Sequence, residues 1–198
     1  TIATPNNFHK DLSIAALRAG KNVICEKPVT LNCEELKEIV AVAQETGLLF
    51  TVHQNRRLDK DYRIVREAIG QGLIGRPYFI ESKVQGSRRA MHGWRGHKLN
   101  GGGMLLDWGV HLLDQMLTMM AGHKLLSVSA SMTNITNPEC DDGFTAFCRF
   151  DNGTEWLVEV GTCHFVEVPR WYVFGNAGSA VIRNWDCEGE IVKIYNRG

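Results

Sequence analysis

Over the first fifty-five residues, short apolar runs alternate with stretches whose apolar residues recur at helical spacing. No other feature limits the fold as much. Ile2-Ala3-Thr4 reads as a strand end. Pro5 to Ala19 places Phe8, Leu12, Ala15, Ala16 and Leu17 at helical spacing, and Gly20 then ends the helix as a C′ residue. Asn22 to Cys25 reads as a short strand of the fully buried kind. Asn32 with Glu35 gives a capping-box-like start to a helix that buries Leu36, Ile39, Val40 and Ala43 and stops at Gly47. Leu48 to His53 is the next strand. Strand, helix, strand, helix, strand with short turns predicts right-handed βαβ units and a parallel sheet.

After Asn55 the pattern changes. Leu58 to Ile69 reads as an amphipathic helix with Tyr62, Val65 and Ile69 on one side, and Arg76 to Gln85 as a strand. Ser87 to Gly102 is irregular, and Gly103 to Ala121 is the longest expected helix. Strands then follow at Leu125–Thr133, Gly143–Phe150, Thr154–Cys163, Arg170–Phe174, Ala180–Asn184 and Ile191–Tyr195. Asp151-Asn152-Gly153 predicts a type I′ hairpin turn, since Asn and Gly tolerate positive φ, and Gly175 to Gly178 a second hairpin. Successive hairpins predict an antiparallel sheet with one face covered by helices. The expected architecture is α/β over residues 1–55, the last strands of a Rossmann-type parallel sheet. An α+β part over residues 56–198 follows, with an open, mainly antiparallel sheet.

Composition narrows the function classes. The chain has 198 residues with 22 basic and 22 acidic side chains, a formal net charge of zero. Such a balance gives no electrostatic footprint for nucleic acid. No apolar run approaches the roughly 20 residues of a membrane helix. The six cysteines form no C-x-x-C pair and read as reduced thiols, so the expected compartment is the cytoplasm.

Three features could carry chemistry. Glu26-Lys27-Pro28 follows a strand, and in open parallel sheets ligands bind beyond the carboxyl ends of strands. The plainer alternative is a surface strand end with two solvated charges. Thr4-Pro5-Asn6-Asn7-Phe8-His9 sits on the same rim if the strands are parallel neighbours; alternatively it is an ordinary helix start. Asp107, His111 and Asp114 fall at i, i+4 and i+7, a narrow polar stripe on an otherwise apolar helix. The alternatives for that stripe are a helix-capping Asp with a satisfied core His, or two ligands of a metal hydrolase.

Together these features resemble the Gfo/Idh/MocA family, the glucose–fructose oxidoreductase- and inositol dehydrogenase-like enzymes. The resemblance rests on Ala3-Thr4-Pro5-Asn6 with His9, on Gly20-Lys21-Asn22-Val23 before Glu26-Lys27-Pro28, and on Gly101-Gly102-Gly103 before Asp107-x-Gly109-x-His111-x-x-Asp114. It implies a Rossmann domain followed by an α/β domain whose open sheet carries a homo-oligomer interface. It also implies NAD or NADP as cofactor and a sugar, inositol or related polyol as substrate. By the same resemblance Lys27, Asp107 and His111 are catalytic, with His111 the acid/base. Pro5, Asn6, His9, Glu26, Lys27 and Arg56 would face the cofactor. Trp94, Arg95 and Lys98 would lie in the substrate loop, and no metal is implied. A non-catalytic, ligand-binding or oligomerising relative is the alternative.

A histidine suits the proton of a secondary alcohol because its unperturbed pKa lies near neutrality, and a lysine cation suits the developing alkoxide. Lys27-Pro28 is expected to be a cis bond. The first strands, the acidic ribose-binding residue and the phosphate-binding G-x-G-x-x-G loop after the first strand are expected to be missing, and the chain to be a fragment. The expectation that follows is weak or no NAD(P) binding by these 198 residues alone. Titration calorimetry checks it, and a dissociation constant of about 1 μM or below would overturn it.

Overall fold

The computed structural model describes residues 1–86, 89 and 91–194. Ser87, Arg88 and Ala90 of the expected irregular stretch, and Tyr195 at the end of the last expected strand, lie outside the described residues.

The N-terminal part runs through α1 (His9–Arg18), β1 (Val23–Cys25), α2 (Cys33–Thr46) and β2 (Phe50–Val52). β1 pairs with β2 in parallel, and Ile2 makes a parallel bridge to Cys25 on the other side. Three chain segments therefore point their carboxyl ends the same way. Asn32 Oδ1 accepts the Glu35 N–H, and Glu35 Oε2 accepts the N–H of Leu31, so the capping box closes one residue early.

Burial corrects the helix faces. The inward stripe of α1 is His9, Ser13 and Leu17, while Phe8 and Leu12 are exposed. In α2 the buried pair is Ile39 and Val42, and Val40 faces solvent. β1 is buried on one face only: Val23 and Cys25 meet both helices, and Ile24 points away.

The C-terminal part is built on α3 (Lys60–Gly70), β3 (Pro77–Gln85), α4 (Val110–Met119), β4 (Leu125–Thr133), β5 (Gly143–Phe150), β6 (Glu155–Gly161), β7 (Trp171–Gly175), β8 (Gly178–Ile182) and β9 (Gly189–Lys193). The strands form one sheet in the order β4-β5-β6-β3-β7-β8-β9. All pairings are antiparallel except β3 with β6, which run parallel at its centre. Strand-by-strand alternation cannot show that pairing, because it joins strands separated by α4 and a hairpin. α3 and α4 cover one face, packing Tyr62, Val65, Leu112 and Met116 against Ile80, Phe144, Trp156 and Trp171.

Two turn expectations change. In the 151–153 turn only Gly153 has positive φ, so it is not type I′; the Gly153 N–H closes onto Phe150 O and the bulge falls on the glycine. Gly70-Gln71-Gly72-Leu73-Ile74-Gly75 does spell G-x-G-x-x-G, but it leaves α3 and enters β3. A phosphate loop runs from strand to helix and offers a helix N-terminus to the anion, so this string cannot act as one. Gly70 closes α3, and the other two glycines serve left-handed turns, with φ of 67° at Gly72 and 72° at Gly75.

One buried ion pair ties α3 to the sheet. Asp61 Oδ2 accepts from Arg170 Nη2 at 2.7 Å and from Trp171 Nε1 at 2.9 Å. Burial lowers the Arg170 pKa, and Asp61 works against that shift. Asp61→Ala leaves the guanidinium buried without its partner and is expected to cost about 3–5 kcal/mol, read by urea denaturation.

Candidate active site

Lys27 leaves the carboxyl end of β1 and reaches across to the segment that opens α4. Its ammonium donates to the main-chain oxygen of Asp107 at 2.6 Å and to Asp107 Oδ1 at 3.1 Å. Arg95 Nε meets the same carboxylate oxygen at 3.3 Å. Two cations on one carboxylate leave it a poor metal ligand. Among the described residues no group of three His, Cys, Asp or Glu side chains could hold a metal ion. The Lys27–Pro28 peptide bond is cis.

The helix expected over Gly103–Ala121 does not start as a regular α-helix. Leu105–Gly109 forms a π-helical turn before α4. The Met104 N–H donates to Asp141 O, and the Leu105 N–H to Asp141 Oδ2 at 2.7 Å. Asp141 thus caps the helix, and its burial raises its pKa. Nothing in the sequence near position 141 marks this role, because the contact spans 36 residues.

The polar stripe faces the N-terminal part. Asp107 meets Lys27, and Asp114 takes a two-pronged ion pair from Arg57. His111 lies between them, 4% exposed, with Nδ1 unpartnered. Burial, then the nearby cations of Lys27 and Arg56, lower its pKa from 6.5 to about 3, against a smaller opposing pull from Asp107. The fold thus moves His111 well below the unperturbed histidine range and favours its neutral imidazole form.

The remaining predicted residues divide. Pro5, Asn6, Glu26 and Lys27, with Ala3 and Thr4, line one side of a cleft of about 270 Å³; Trp94, Arg95 and Asp107 line the other. Asn6 is itself nearly buried and donates through Nδ2 to Gly101 O at 2.7 Å, joining the strand-end rim to the loop before α4. Glu26 is paired with His53 Nδ1 at 2.7 Å, a partner that sequence reading missed. His9 does not line the cleft: it is fully buried, its ring nitrogens facing Pro28 O and Thr4 O at 2.8 and 3.0 Å. Arg56 stands outside this cleft too. Its guanidinium lies 4.1 Å from the Trp108 ring centre and pairs with Asp59. The Lys98 N–H turns toward Glu139, away from the cleft lining.

Comparisons with known proteins find matches for both parts of the chain. Residues 1–54 match the profile described as "Oxidoreductase family, NAD-binding Rossmann fold", and residues 62–181 match the "GFO/IDH/MocA C-terminal domain". The chain belongs to the GFO/IDH/MocA family of oxidoreductases. A crystal structure of an NAD-binding protein from Listeria innocua is 49% identical, with a TM-score of 0.96 over 98% of this chain and 56% of that one. The 1,5-anhydro-D-fructose reductase of Ensifer adhaerens is 32% identical over 92% of this chain and 56% of its own length. An NADP(+)-dependent scyllo-inositol 2-dehydrogenase of Bacillus subtilis is 30% identical over 91% of this chain and 50% of its own length. The chain spans about half the length of these relatives.

The NAD-binding domain that residues 1–54 match implies a nicotinamide cofactor, and this cleft is a candidate place for it. The cleft lies beyond the carboxyl ends of parallel strands, where such ligands bind. Thr4 Oγ1, in its lining, is buried without a partner, a polar atom that a ligand could satisfy.

The low pKa of His111 has a thermodynamic consequence. The unfolded chain takes up this proton near pH 6.5 and the folded chain only near 3, so stability is lost as pH falls through that window. His111→Gln is expected to remove a slope of up to about 1.4 kcal/mol per pH unit. Urea denaturation of both proteins between pH 7 and pH 4 checks this, the difference between them isolating the histidine.

Proposed function

We propose that this chain supplies the reacting half of an NAD(P)-dependent oxidoreductase that oxidises a secondary alcohol of a sugar, inositol or related polyol. In this reading residues 1–55 are the C-terminal part of a dinucleotide-binding domain, and residues 56–198 the substrate and oligomerisation domain. The observation that carries it is the meeting of Lys27, just past β1, with Asp107 in the π turn that opens α4, the helix that carries His111 within the field of Lys27. Pro5, Asn6, Glu26 and Lys27 would hold the cofactor, NAD or NADP. When bound, the nicotinamide would supply the hydride acceptor.

The side chains divide the remaining work. Lys27 spends two N–H donors on Asp107, and its third is free for the substrate hydroxyl. Asp107 fixes the direction of that ammonium. His111, unprotonated, accepts the hydroxyl proton. Its weak ground-state basicity is offset as negative charge develops on the substrate oxygen, so the attraction is strongest in the transition state. Lys27 then stabilises the same charge.

The outer face of the larger sheet is assigned to contact with a second copy. Phe79 lies 6.5 Å from Phe147 and 6.1 Å from Phe174, and Tyr172 stacks on Phe174 at 5.8 Å. An aromatic cluster on an uncovered sheet face fits a homo-oligomer interface. No helix among the described residues is long and apolar enough to cross a membrane, and a cytoplasmic setting belongs to the same proposal.

In the full-length protein, Lys27→Met and His111→Ala are each expected to lower turnover by about 10²-fold or more while changing NAD(P) affinity by less than about tenfold. Steady-state kinetics beside cofactor titration checks this. Wild-type turnover in either variant would remove that residue from its role.

A further inference from the structure

We infer that Asn137 and Asp141, on the loop between β4 and β5, are positioning residues for the reaction, a role that rests on the oxidoreductase reading. Asp141 holds the turn that carries Asp107, and Asn137 holds the segment that carries Arg95. Together they fix where Arg95 and Lys27 meet the Asp107 carboxylate. Neither residue lines the cleft, so each acts through others.

The loop, residues 134–142, is braced from within. Asp142, 1% exposed, closes its base: the carboxylate accepts from Thr133 Oγ1 and from the Thr136 N–H. Asn134 Nδ2 donates to Cys140 O at 2.7 Å across the loop. Asn137 Oδ1 accepts the N–H groups of Glu139 and Cys140 at 2.8 and 3.1 Å. That fixes the amide and turns its two N–H donors outward. Backbone tied at so many points resists local opening.

Two ties then run from the loop to one wall of the cleft. Asn137 Nδ2 donates to Gly96 O at 3.0 Å, one residue past Arg95. Asp141 accepts the Met104 N–H on its main-chain oxygen and the Leu105 N–H on Oδ2, just before Asp107. A third bond closes the circuit, from the Gly103 N–H to Arg95 O at 3.0 Å. The contact of Arg95 with the Asp107 carboxylate lies inside that circuit. The fit is close, because a Cβ on Gly103 would collide with Asp141 Oδ1. Capping α4 requires Asp141 alone. The bond from Asn137 adds nothing to a helix and instead keeps the Arg95 segment in register with the turn. Misplacing a reacting group by about 1 Å costs roughly 10²-fold in rate, so a loop that touches no reactant governs one.

The test uses two readouts on the native chain. The first is competitive acetylation by limiting acetic anhydride, with Lys27 read by mass spectrometry against the exposed Lys37. Lys27 starts slow, because its ammonium is shielded and spends two donors on Asp107. The second is the rate of tryptic cleavage after Arg95, which reports local opening there. Asp141→Ala is expected to raise both by about tenfold or more, having lost a hydrogen bond to a charged group. Asn137→Ala, which leaves the cap in place, should raise cleavage after Arg95 by about fivefold. Asp141→Asn keeps an acceptor for the Leu105 N–H and should stay within about twofold of wild type in both. Asn176→Ala removes an acceptor from the Arg76 N–H at the opposite end of β3 and serves as the control for a purely structural loss. A folded Asp141→Ala with either readout at the wild-type value overturns the inference. So does wild-type cleavage in Asn137→Ala, which decides alone where Asp141→Ala does not fold, and so does an equal rise in Asn176→Ala. Both readouts work without cofactor or turnover, so their failure leaves the oxidoreductase reading standing.

Discussion

The contact between the Lys27 ammonium and Asp107 is the constraint on which the rest of the site depends. It joins residues 80 positions apart, one at the end of a parallel strand and the other in the π turn that opens α4. Both side chains are largely shielded, 15% and 22% exposed, so the pair is stronger than a surface ion pair and worse to break. It also sets the electrostatics next door. Lys27 helps hold His111 neutral, and Asp107 partly compensates. Removing the carboxylate would leave Lys27 and Arg56 acting on the imidazole with less opposing charge, so the ion pair positions the cation and limits its effect together.

The glycine run before α4 is part of the same device. Asn6 holds Gly101 O, and the Gly103 N–H donates to Arg95 O. Gly101 and Gly103 take φ values of 71° and 107°, open to glycine and strained for other residues. The backbone can therefore turn tightly enough for Asp107 to arrive beneath Lys27 with Arg95 beside it. The loop is fixed by hydrogen bonds to its own main chain and to the strand-end rim.

What was legible in the sequence was local. The βαβ alternation, the Asn32 cap and the hairpin positions follow from spacing and turn chemistry, and the structure shows each of them. What was not legible depends on partners distant in sequence. The inward stripe of α1 contains His9 because Pro28 O and Thr4 O flank its two ring nitrogens, partners that no hydrophobic count can anticipate. The His111 pKa shift needed the burial and the two cations that only the assembled fold supplies. The G-x-G-x-x-G string at Gly70 makes the same point from the other side. A motif carries its chemistry only in the strand-to-helix setting that aims its backbone N–H groups.

A second long-range arrangement runs along the rim of the larger sheet, and it is stacked where the core is packed. Trp108, Arg56, Trp185 and Arg170 follow one another at ring-to-guanidinium distances of 4.1, 5.5 and 3.7 Å. Asp59 pairs with Arg56 and Asp61 with Arg170, so both cations are compensated. Each cation–π contact contributes about 0.5–2 kcal/mol, less than a core aromatic side chain. The ladder therefore positions the rim without carrying the fold, and one end of it is the neighbour of His111. A change at Trp185 would reshape this rim while Trp156, Trp171 and the helix-covered face stay packed. Arg170 belongs to both arrangements, since it stacks on Trp185 at the rim and its buried pair with Asp61 ties α3 to the sheet.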